Sequence, residues 1–236
     1  MENIIIYDFD GTLTPYPIPK FKKLEEIGVS FSKEDKRYKE ALEESKKTGK
    51  SIYEIVLKVC VKELQKHNLK ISDKNITYKI SELEFNPGTI EFLDMLNKNN
   101  VKNYIVSSGL KVYLKSCEAG KRMKKVYGTT FKYFFKKIIG MKHIMSDDEK
   151  VNAIKDIIKN KKNINLIYIG DGETDYPAFK YIKSIGGKNI LVNVDTLDKE
   201  FLKLKKDAIV DAAFKADYSK NSELYKYIIK SCNIKE

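Results

Sequence analysis

The chain has 236 residues, of which 42% are hydrophobic and 33% charged, and it carries a formal charge of +12 at pH 7. This composition excludes a disordered or collagen-like chain, and no apolar run reaches the roughly 18 residues that a membrane-spanning helix needs. Lysine supplies almost all of the positive charge, since arginine occurs only at Arg37 and Arg122, whereas nucleic-acid readers favour the bidentate contacts of arginine.

The first predicted element is a strand over Asn3–Asp8. Its apolar residues are continuous rather than alternating, which is typical of a strand buried on both faces of a parallel sheet. The segment Asp8-Phe9-Asp10-Gly11-Thr12-Leu13-Thr14 follows at the carboxyl end of this strand. Alternating prolines at Pro15, Pro17 and Pro19 cannot continue a strand or a helix, so they indicate a stiff linker.

Residues 15–85 have a different character and are predicted to form a small helical cap. Residues 34–47 have a helical pattern rich in Glu and Lys, and the apolar residues between Ile52 and Cys60 fall on one helical face. The segment contains no strand pattern of comparable strength.

From residue 86 onward, predicted strands and helices alternate. Asn86 is the expected cap of a helix with Pro87 in its first turn. A strand follows at Val101–Ser107, and another helix is expected to begin near Gly109. The aromatic stretch Val126–Ile139 is expected to hold one or two short strands.

A capping box at Ser146–Glu149 predicts the start of the next helix. A buried strand is predicted at Ile164–Ile169, followed by a glycine-rich loop and a helix from about Thr174 to Gly186. The last predicted elements are strands at Ile190–Val194 and Ala208–Val210 and a helix at Ser222–Ser231.

This alternation predicts an α/β fold with a doubly wound, mostly parallel, Rossmann-like sheet. Residues 1–14 and 86–236 would form the core, with the cap inserted after the first strand. Ligands of such sheets bind at the carboxyl ends of the strands. The polar residues expected at this edge are Asp8, Asp10, Ser107, Ser108, Asp171 and Asp175, and Lys150 can approach it from the start of its helix.

The carboxylates among these residues predict a metal site. Asp8 and Asp10 are two positions apart, so their side chains can point to one side of an extended chain. With Asp171 alongside, the carboxylates would repel one another, and a hard cation such as Mg²⁺ relieves that repulsion. Each carboxylate alone could have a structural role, Asp8 as the cap of a turn and Asp171 as part of a glycine-rich loop. These roles would not explain why the two residues converge.

Four motifs in this order resemble those of the haloacid dehalogenase-like superfamily of phosphohydrolases. The motifs are Asp8–Thr14, Ile105-Val106-Ser107-Ser108-Gly109, Lys150 ahead of Val151 and Ile154, and Gly170-Asp171-Gly172-Glu173-Thr174-Asp175. The placement of a helical cap between the first and second motifs also resembles this superfamily. The overall layout and the first and fourth motifs are most similar to those of phosphoserine phosphatases, but the cap contains no matching substrate-binding pattern.

The resemblance implies roles for the carboxylates. Asp8 would attack phosphorus and form an aspartyl-phosphate. Asp10 would protonate the leaving oxygen and then activate water. Mg²⁺ would be bound by Asp8, by the main-chain carbonyl of Asp10 and by Asp171, with Asp175 supporting it directly or through water.

The resemblance also implies a phosphate-binding segment and a balancing cation. The Ser107 hydroxyl and the main-chain N–H groups near Ser108 and Gly109, at a helix start, would donate to phosphate oxygens. Lys150 would balance the negative charge of nucleophile and phosphate.

Two other lysines, Lys142 and Lys155, remain possible partners of the nucleophile. Lys150 is favoured because it directly follows the capping box.

The resulting prediction is a Mg²⁺-dependent phosphatase, a phosphoric monoester hydrolase, that acts on a small phosphorylated metabolite. A phosphotransferase or phosphomutase of the same superfamily is an alternative, and so is a non-catalytic protein that binds polyanions through its lysines.

The sequence also favours a cytoplasmic protein with neither a membrane nor a nucleic-acid partner. The residues after Met1 do not form a signal-peptide pattern. Three scattered cysteines, Cys60, Cys117 and Cys232, indicate free thiols in a reducing compartment.

Overall fold

The computed structural model describes residues 1–15, 36–50, 52–66, 83–135, 137–193, 204 and 207–235. The strands in this part of the chain are β1 (Glu2–Tyr7), β2 (Lys102–Leu110), β3 (Lys125–Phe134), β4 (Lys137–His143), β5 (Ile164–Gly170), β6 (Lys188–Val192) and β7 (Ala212–Phe214). They form one sheet in the order β4-β3-β2-β1-β5-β6-β7, in which the β3–β4 pair is antiparallel and every other pair is parallel.

Helices alternate with these strands. Those that the structure describes are α1 (Lys36–Thr48), α2 (Ile52–Lys66), α3 (Thr89–Lys98), α4 (Lys111–Ser116), α5 (Glu118–Lys121), α6 (Asp147–Ile158), α7 (Tyr176–Ser184) and α8 (Glu223–Ser231). A 3₁₀ turn, Glu173–Asp175, precedes α7. The predicted α/β class with a mostly parallel sheet is therefore confirmed.

Strand β1 is central and is covered on both faces. Ile4, Ile5, Ile6 and Tyr7 are completely buried. Ile5 and Tyr7 join a hydrophobic cluster with residues of α3 and α8, whereas Ile4 and Ile6 join a second cluster with residues of α6 and α7. Because successive side chains of a strand point to opposite faces, this burial explains the continuous apolar run in the sequence.

The register of the central strands places three loops at one edge of the sheet. Strand β1 lies between β2 and β5, and Tyr7 is opposite both Ile105 and Ile169. Strand β1 ends at Tyr7 and β5 ends one residue after Ile169, whereas β2 continues beside β3 to Leu110, so the carboxyl ends of all three strands lie at the same edge of the sheet. Such a switch point, where connections run to opposite sides, is the usual ligand crevice of an open α/β sheet.

The chain returns from the predicted cap directly beside the point where it left. The Asn86 N–H donates to the Leu13 carbonyl at 2.9 Å, and the Asn86 side-chain amide donates to the Thr12 carbonyl at 2.8 Å. Asn86 is therefore not a helix cap as predicted, and Pro87 precedes the helix. Helix α3 begins behind Gly88, which has a φ of 70°, and no side chain caps it.

The predicted strand at Ala208–Val210 is wrong, since the strand in this region is β7. Ala208 has a φ of 51°, outside the extended region. The N–H groups of Ile209 and Val210 both bond to the Leu204 carbonyl and form a turn. Both side chains are buried, which explains why their apolar pattern resembled that of a strand.

The aromatic stretch forms a longer hairpin than predicted. Strand β3 pairs with β2 as far as Thr129, opposite Leu110, and its remaining residues pair with β4. The β3–β4 hairpin thus extends beyond the carboxyl edge of the parallel sheet, and α2 packs against β4. Strand β2 is also longer than predicted, so α4 begins at Lys111 rather than near Gly109.

Helix α6 begins behind Ser146 as predicted, but the Ser146 hydroxyl makes no capping hydrogen bond. Helices α1 and α2 agree with the two helices expected in the cap. The proline linker after Pro15 and much of the remaining cap lie outside the described residues, so the division into core and cap stays a prediction. None of the helices in the described ranges is long and apolar enough to cross a membrane.

Candidate active site

Four charged side chains from three segments meet at the carboxyl edge of the sheet. Asp8 follows β1, Lys150 lies in the first turn of α6, and Asp171 and Asp175 follow β5. One carboxylate oxygen from each of Asp8, Asp171 and Asp175 lies within 4.8 Å of the others. The sequence predicted these residues from separate motifs, and the fold brings them together.

Lys150 is enclosed by two of these carboxylates. Its side chain is fully buried, its ammonium donates to Asp175 Oδ1 at 2.7 Å, and it lies 3.3 Å from Asp8 Oδ1. Burial alone would lower the pKa of Lys150, but the nearby Asp175 and Asp8 carboxylates raise that pKa above its ordinary value. The ammonium therefore stays charged, whereas the alternatives Lys142 and Lys155 are exposed.

Asp8 is held in place, but one of its carboxylate oxygens accepts no hydrogen bond from the part of the chain that the structure describes. Its N–H donates to the Ile169 carbonyl at 2.9 Å, and the residue is only 5% exposed. Among the described residues, no group donates a hydrogen bond to the buried Asp8 Oδ1, because its contact with Lys150 is an ion pair that lacks hydrogen-bond geometry. Burial raises the pKa of Asp8 well above its ordinary value, although Lys150 opposes this shift. A buried, unsatisfied carboxylate oxygen is costly, which indicates that a ligand normally meets it.

Asp175 organises its neighbours. Its Oδ1 accepts from Lys150 and from the Tyr168 hydroxyl at 2.6 Å, and its Oδ2 accepts from the Asp171 N–H at 3.2 Å. Both oxygens are thus engaged with the protein. The sequence did not reveal Tyr168, because this tyrosine lies within the apolar run of β5.

Asp171 faces the turn that follows β1. Its Oδ1 accepts from the Thr12 hydroxyl at 3.3 Å. Burial, together with the neighbouring Asp175 carboxylate, raises the pKa of Asp171 to about 6. Gly11 has a φ of 78°, and a Cβ at this position would collide with the Asp171 carboxylate. The turn therefore requires glycine for both backbone geometry and space.

Main-chain hydrogen bonds fix this turn. The Phe9 carbonyl accepts from the N–H groups of Thr12, Leu13 and Thr14. The Thr12 carbonyl accepts from the Asn86 side chain and from the Tyr218 hydroxyl at 3.1 Å. No pattern in the sequence indicated this convergence on Thr12, because the partners are far apart in the chain.

Asp10 lies in the same turn and is more exposed than Asp8. Its carboxylate is not among the three clustered around Lys150. The contribution expected from Asp10 to a metal was its main-chain carbonyl.

The predicted phosphate-binding segment lies at the end of β2. Ser107 is 1% exposed, and its Oγ accepts from the Gly109 N–H at 3.0 Å. This bond leaves the Ser107 hydroxyl hydrogen available for another acceptor. It also engages the Gly109 N–H, which was expected to contact phosphate directly. The Ser108 carbonyl accepts from the Thr129 hydroxyl at 2.8 Å, a contact that no sequence motif indicated.

The donor set fits a hard divalent cation. Three carboxylates and one ammonium leave an excess of two negative charges when all are ionised. All the available donors are oxygens, which Mg²⁺ prefers, and Asp8 Oδ1 accepts no hydrogen bond from the described residues. Asp8 and Asp171 are the carboxylates best suited to ligation, since the Asp175 oxygens are engaged elsewhere.

Solved structures share this fold. A substrate-bound phosphoserine phosphatase complex is 18% identical, with a TM-score of 0.65, and the match covers 96% of this chain and 98% of that one. A probable phosphoserine phosphatase from Vibrio cholerae is 15% identical, with a TM-score of 0.66 and coverage of 100% and 68%. A haloacid dehalogenase-like (HAD) family hydrolase from Salmonella enterica serovar Typhi is 17% identical, with a TM-score of 0.64. That match covers 91% of this chain and 68% of the other.

No match was found among curated proteins. The sequence profile of the haloacid dehalogenase-like hydrolases, however, matches residues 5–180. This stretch includes all four motifs and most of the sheet, and the resemblance seen in the sequence is confirmed. The chain belongs to the haloacid dehalogenase-like hydrolase family.

Proposed function

We propose that this protein is a Mg²⁺-dependent phosphatase that hydrolyses a small phosphomonoester through an aspartyl-phosphate on Asp8. The observation that carries the proposal is the buried Asp8 carboxylate, whose Oδ1 lies 3.3 Å from the Lys150 ammonium but accepts no hydrogen bond from the described residues. Family membership and the fold shared with phosphoserine phosphatases support phosphate esters as the substrate class.

In the first step, an Asp8 carboxylate oxygen attacks phosphorus. A bond forms between this oxygen and phosphorus, and the ester bond to the leaving alcohol breaks. The Asp10 carboxyl gives its proton to the leaving oxygen, which departs as a neutral alcohol. The greater exposure of Asp10 than of Asp8 suits a group that exchanges protons during turnover.

In the second step, water replaces the enzyme oxygen on phosphorus. Asp10, now a carboxylate, accepts a proton from the attacking water. The bond between phosphorus and Asp8 breaks, and inorganic phosphate and free Asp8 are released. The two steps restore both carboxyl groups to their starting states.

Lys150 and Ser107 would bind the phosphoryl group as its charge changes. The Lys150 ammonium is preorganised by Asp175, so little reorganisation is needed when charge builds on phosphate oxygens. The Ser107 hydroxyl has a hydrogen to donate, because its oxygen already accepts from Gly109.

Asp8, Asp171 and the main-chain carbonyl of Asp10 would hold Mg²⁺, and Asp175 would support the site by fixing Lys150 and the Asp171 N–H. When bound, Mg²⁺ would offset the negative charge of the carboxylates and of the phosphate.

The substrate is proposed to be a small phosphorylated metabolite enclosed by a cap formed from residues 15–85. Support comes from the point where residues 15–85 rejoin the core. There Asn86 donates hydrogen bonds to the carbonyls of Thr12 and Leu13, in the turn that follows Asp8. A segment inserted at this point lies next to the site and can exclude water from it. A panel of phosphorylated metabolites, with phosphoserine included, would identify the substrate.

The test of the proposal is Asp8→Asn, assayed with p-nitrophenyl phosphate with and without Mg²⁺. We expect the wild-type protein to release phosphate only with Mg²⁺, and the variant to lose at least about a thousandfold in rate while keeping its circular dichroism spectrum. Asp148→Asn, at an exposed position of α6, is the matched control and should retain full activity. Full activity in Asp8→Asn would refute the role of Asp8.

The alternatives predict different results. Transfer of labelled phosphate from Asp8 to a sugar in preference to water would favour a phosphotransferase. Salt-sensitive binding to nucleic acid that is unchanged in Asp8→Asn, without any hydrolysis, would favour a polyanion-binding protein.

A further inference from the structure

Thr129 of β3 connects the proposed phosphate-binding segment with the segment that leads to Lys150. Its side chain is almost completely buried, at 1% exposure. The Thr129 hydroxyl accepts from the Met145 N–H at 3.1 Å and donates to the Ser108 carbonyl at 2.8 Å. Since a hydroxyl has a single hydrogen, the contact with Ser108 uses the only hydrogen that the Thr129 hydroxyl can donate.

The contact with Ser108 acts on Ser107 through a rigid unit. The Ser108 carbonyl and the Gly109 N–H belong to one planar peptide group, so fixing the carbonyl also fixes the direction of the N–H. That N–H donates to Ser107 Oγ at 3.0 Å. Three hydrogen bonds in series therefore run from the Met145 N–H through Thr129 and the peptide plane to the Ser107 hydroxyl.

The other end of the series leads to Lys150. Met145 immediately precedes Ser146, whose carbonyl accepts from the Lys150 N–H at 3.0 Å. Thr129 thus links the two groups proposed to contact phosphate, the Ser107 hydroxyl and the Lys150 ammonium. Hydrogen bonds in such a buried series polarise and strengthen one another.

Gly128 brings β3 close enough for this contact. A Cβ at Gly128 would lie 2.8 Å from the Gly109 carbonyl oxygen and 3.0 Å from a methyl group of Leu114. Any larger residue would therefore push β3 away from the end of β2. Gly128 supplies the close approach, and Thr129 supplies the polar connection.

We propose that Thr129 is a positioning residue for phosphate binding, which orients the Ser107 hydroxyl through the peptide between Ser108 and Gly109. The effect of Thr129 on catalysis rests on the proposed function. Its binding consequence is independent of turnover, because inorganic phosphate would occupy the same place. In this proposal Thr129 acts through Ser107 and does not itself bind substrate or metal.

The first test replaces the hydroxyl by a methyl group of similar size. Thr129→Val should weaken the affinity for inorganic phosphate with Mg²⁺, measured by calorimetry, by about tenfold, which is the loss of roughly one preorganised hydrogen bond. The KM for p-nitrophenyl phosphate should rise similarly, with kcat changing by less than about threefold, because the contact exists before and during reaction.

Three comparisons separate positioning from general packing. Thr129→Ser keeps the hydroxyl and should restore phosphate affinity to within about twofold of wild type. Thr130→Val, a neighbouring half-buried threonine in the same strand, should leave phosphate affinity unchanged. Mg²⁺ affinity, followed by the Mg²⁺-induced rise in melting temperature, should be the same in all three variants and in wild type.

The outcomes are decisive in each case. Unchanged phosphate affinity in Thr129→Val, an equal loss in Thr129→Ser, or a parallel loss of Mg²⁺ affinity would overturn the inference. If Thr129→Val does not fold, Gly128→Ala provides the test, since its Cβ would lie 2.8 Å from the Gly109 carbonyl oxygen and displace Gly109 without removing a polar group. Phosphate affinity as tight as wild type in Gly128→Ala would also overturn it.

Failure of the proposed function would look different. A wild-type protein that binds phosphate with Mg²⁺ but hydrolyses no phosphomonoester would refute phosphatase activity. The calorimetric comparison of Thr129→Val with Thr129→Ser would still decide the role of Thr129.

Discussion

Lys150 carries a buried positive charge whose partners, Asp8 and Asp175, follow two different strands. A charge in such a position is tolerated because both carboxylates compensate for the lost hydration. If the lysine is removed, the carboxylates remain buried without their counter-charge. The same residue is therefore proposed to serve stability and catalysis.

We expect Lys150→Met to lower the free energy of unfolding by about 3–5 kcal/mol, the usual cost of breaking one side of a buried ion pair. Urea denaturation followed by circular dichroism measures this change. Phosphatase activity should be lost in the folded fraction as well, since the remaining carboxylates repel the phosphate.

The control is Lys155→Met in the same helix. Lys155 is exposed and lies 5.3 Å from the ring centre of Tyr181, so its loss should cost less than about 1 kcal/mol. Equal destabilisation by both substitutions would contradict the assignment of Lys150 as the buried partner.

At the scale of elements, the segment between the cap and α3 is attached to the turn after β1. The Asn86 side chain is buried and donates to the Thr12 carbonyl. This contact keeps the turn after β1 next to the start of α3, although Thr12 and Asn86 are 74 residues apart in the chain.

Asn86→Ala should therefore lower the free energy of unfolding by about 1–3 kcal/mol, because the Thr12 carbonyl loses a buried donor. Asn99→Ala is the matched control, since the Asn99 amide also donates to a carbonyl, that of Met95, but at an exposed position. We expect a cost of at most about 0.5 kcal/mol there. Urea midpoints that are equal for the two variants would be inconsistent with this role of Asn86.

The elements show what the sequence could predict and what it could not. The buried strand β1 and the motifs after β1 and β5 have strong local patterns, so their convergence followed from the parallel topology. Asn86 and Thr129 have no such pattern, because their roles depend on partners 74 and 21 residues away in the chain. The strand prediction at Ala208–Val210 was wrong because apolar residues buried in a turn give the same sequence pattern as apolar residues buried in a strand.

At the scale of the whole molecule, the three cysteines report on the integrity of the core. Cys60, Cys117 and Cys232 are between 1% and 4% exposed and lie in the same hydrophobic cluster. We expect no thiol of the native protein to react with Ellman's reagent at pH 8 within minutes, and all three to react in urea. Rapid reaction of one thiol without denaturant would show local opening of this cluster.

Burial of Cys232 also makes the free energy of unfolding depend on pH in the alkaline range. It raises the pKa of Cys232 to about 11, so the folded state keeps a proton that the unfolded thiol loses above a pH of about 8.5. The contribution of Cys232 is therefore complete below pH 8.5 and is lost as pH rises towards 11. Between pH 8 and 10.5, Cys232→Ala should lose less stability than wild type, as measured by urea unfolding at each pH. Identical pH slopes would contradict this.

The hydrogen bond from the Tyr218 hydroxyl to the Thr12 carbonyl joins residues 206 positions apart. Asn3 and Asn165 likewise donate to the carbonyls of Cys232 and Ser231, at the end of α8. Chains emerge from the ribosome with their N-terminal residues first. A nascent chain thus exposes Asp8 and its neighbours long before the residues that lock their turn have been made. The turn beside Asp8 therefore gains its hydrogen bond from Tyr218 only after about 200 further residues have been added to the chain.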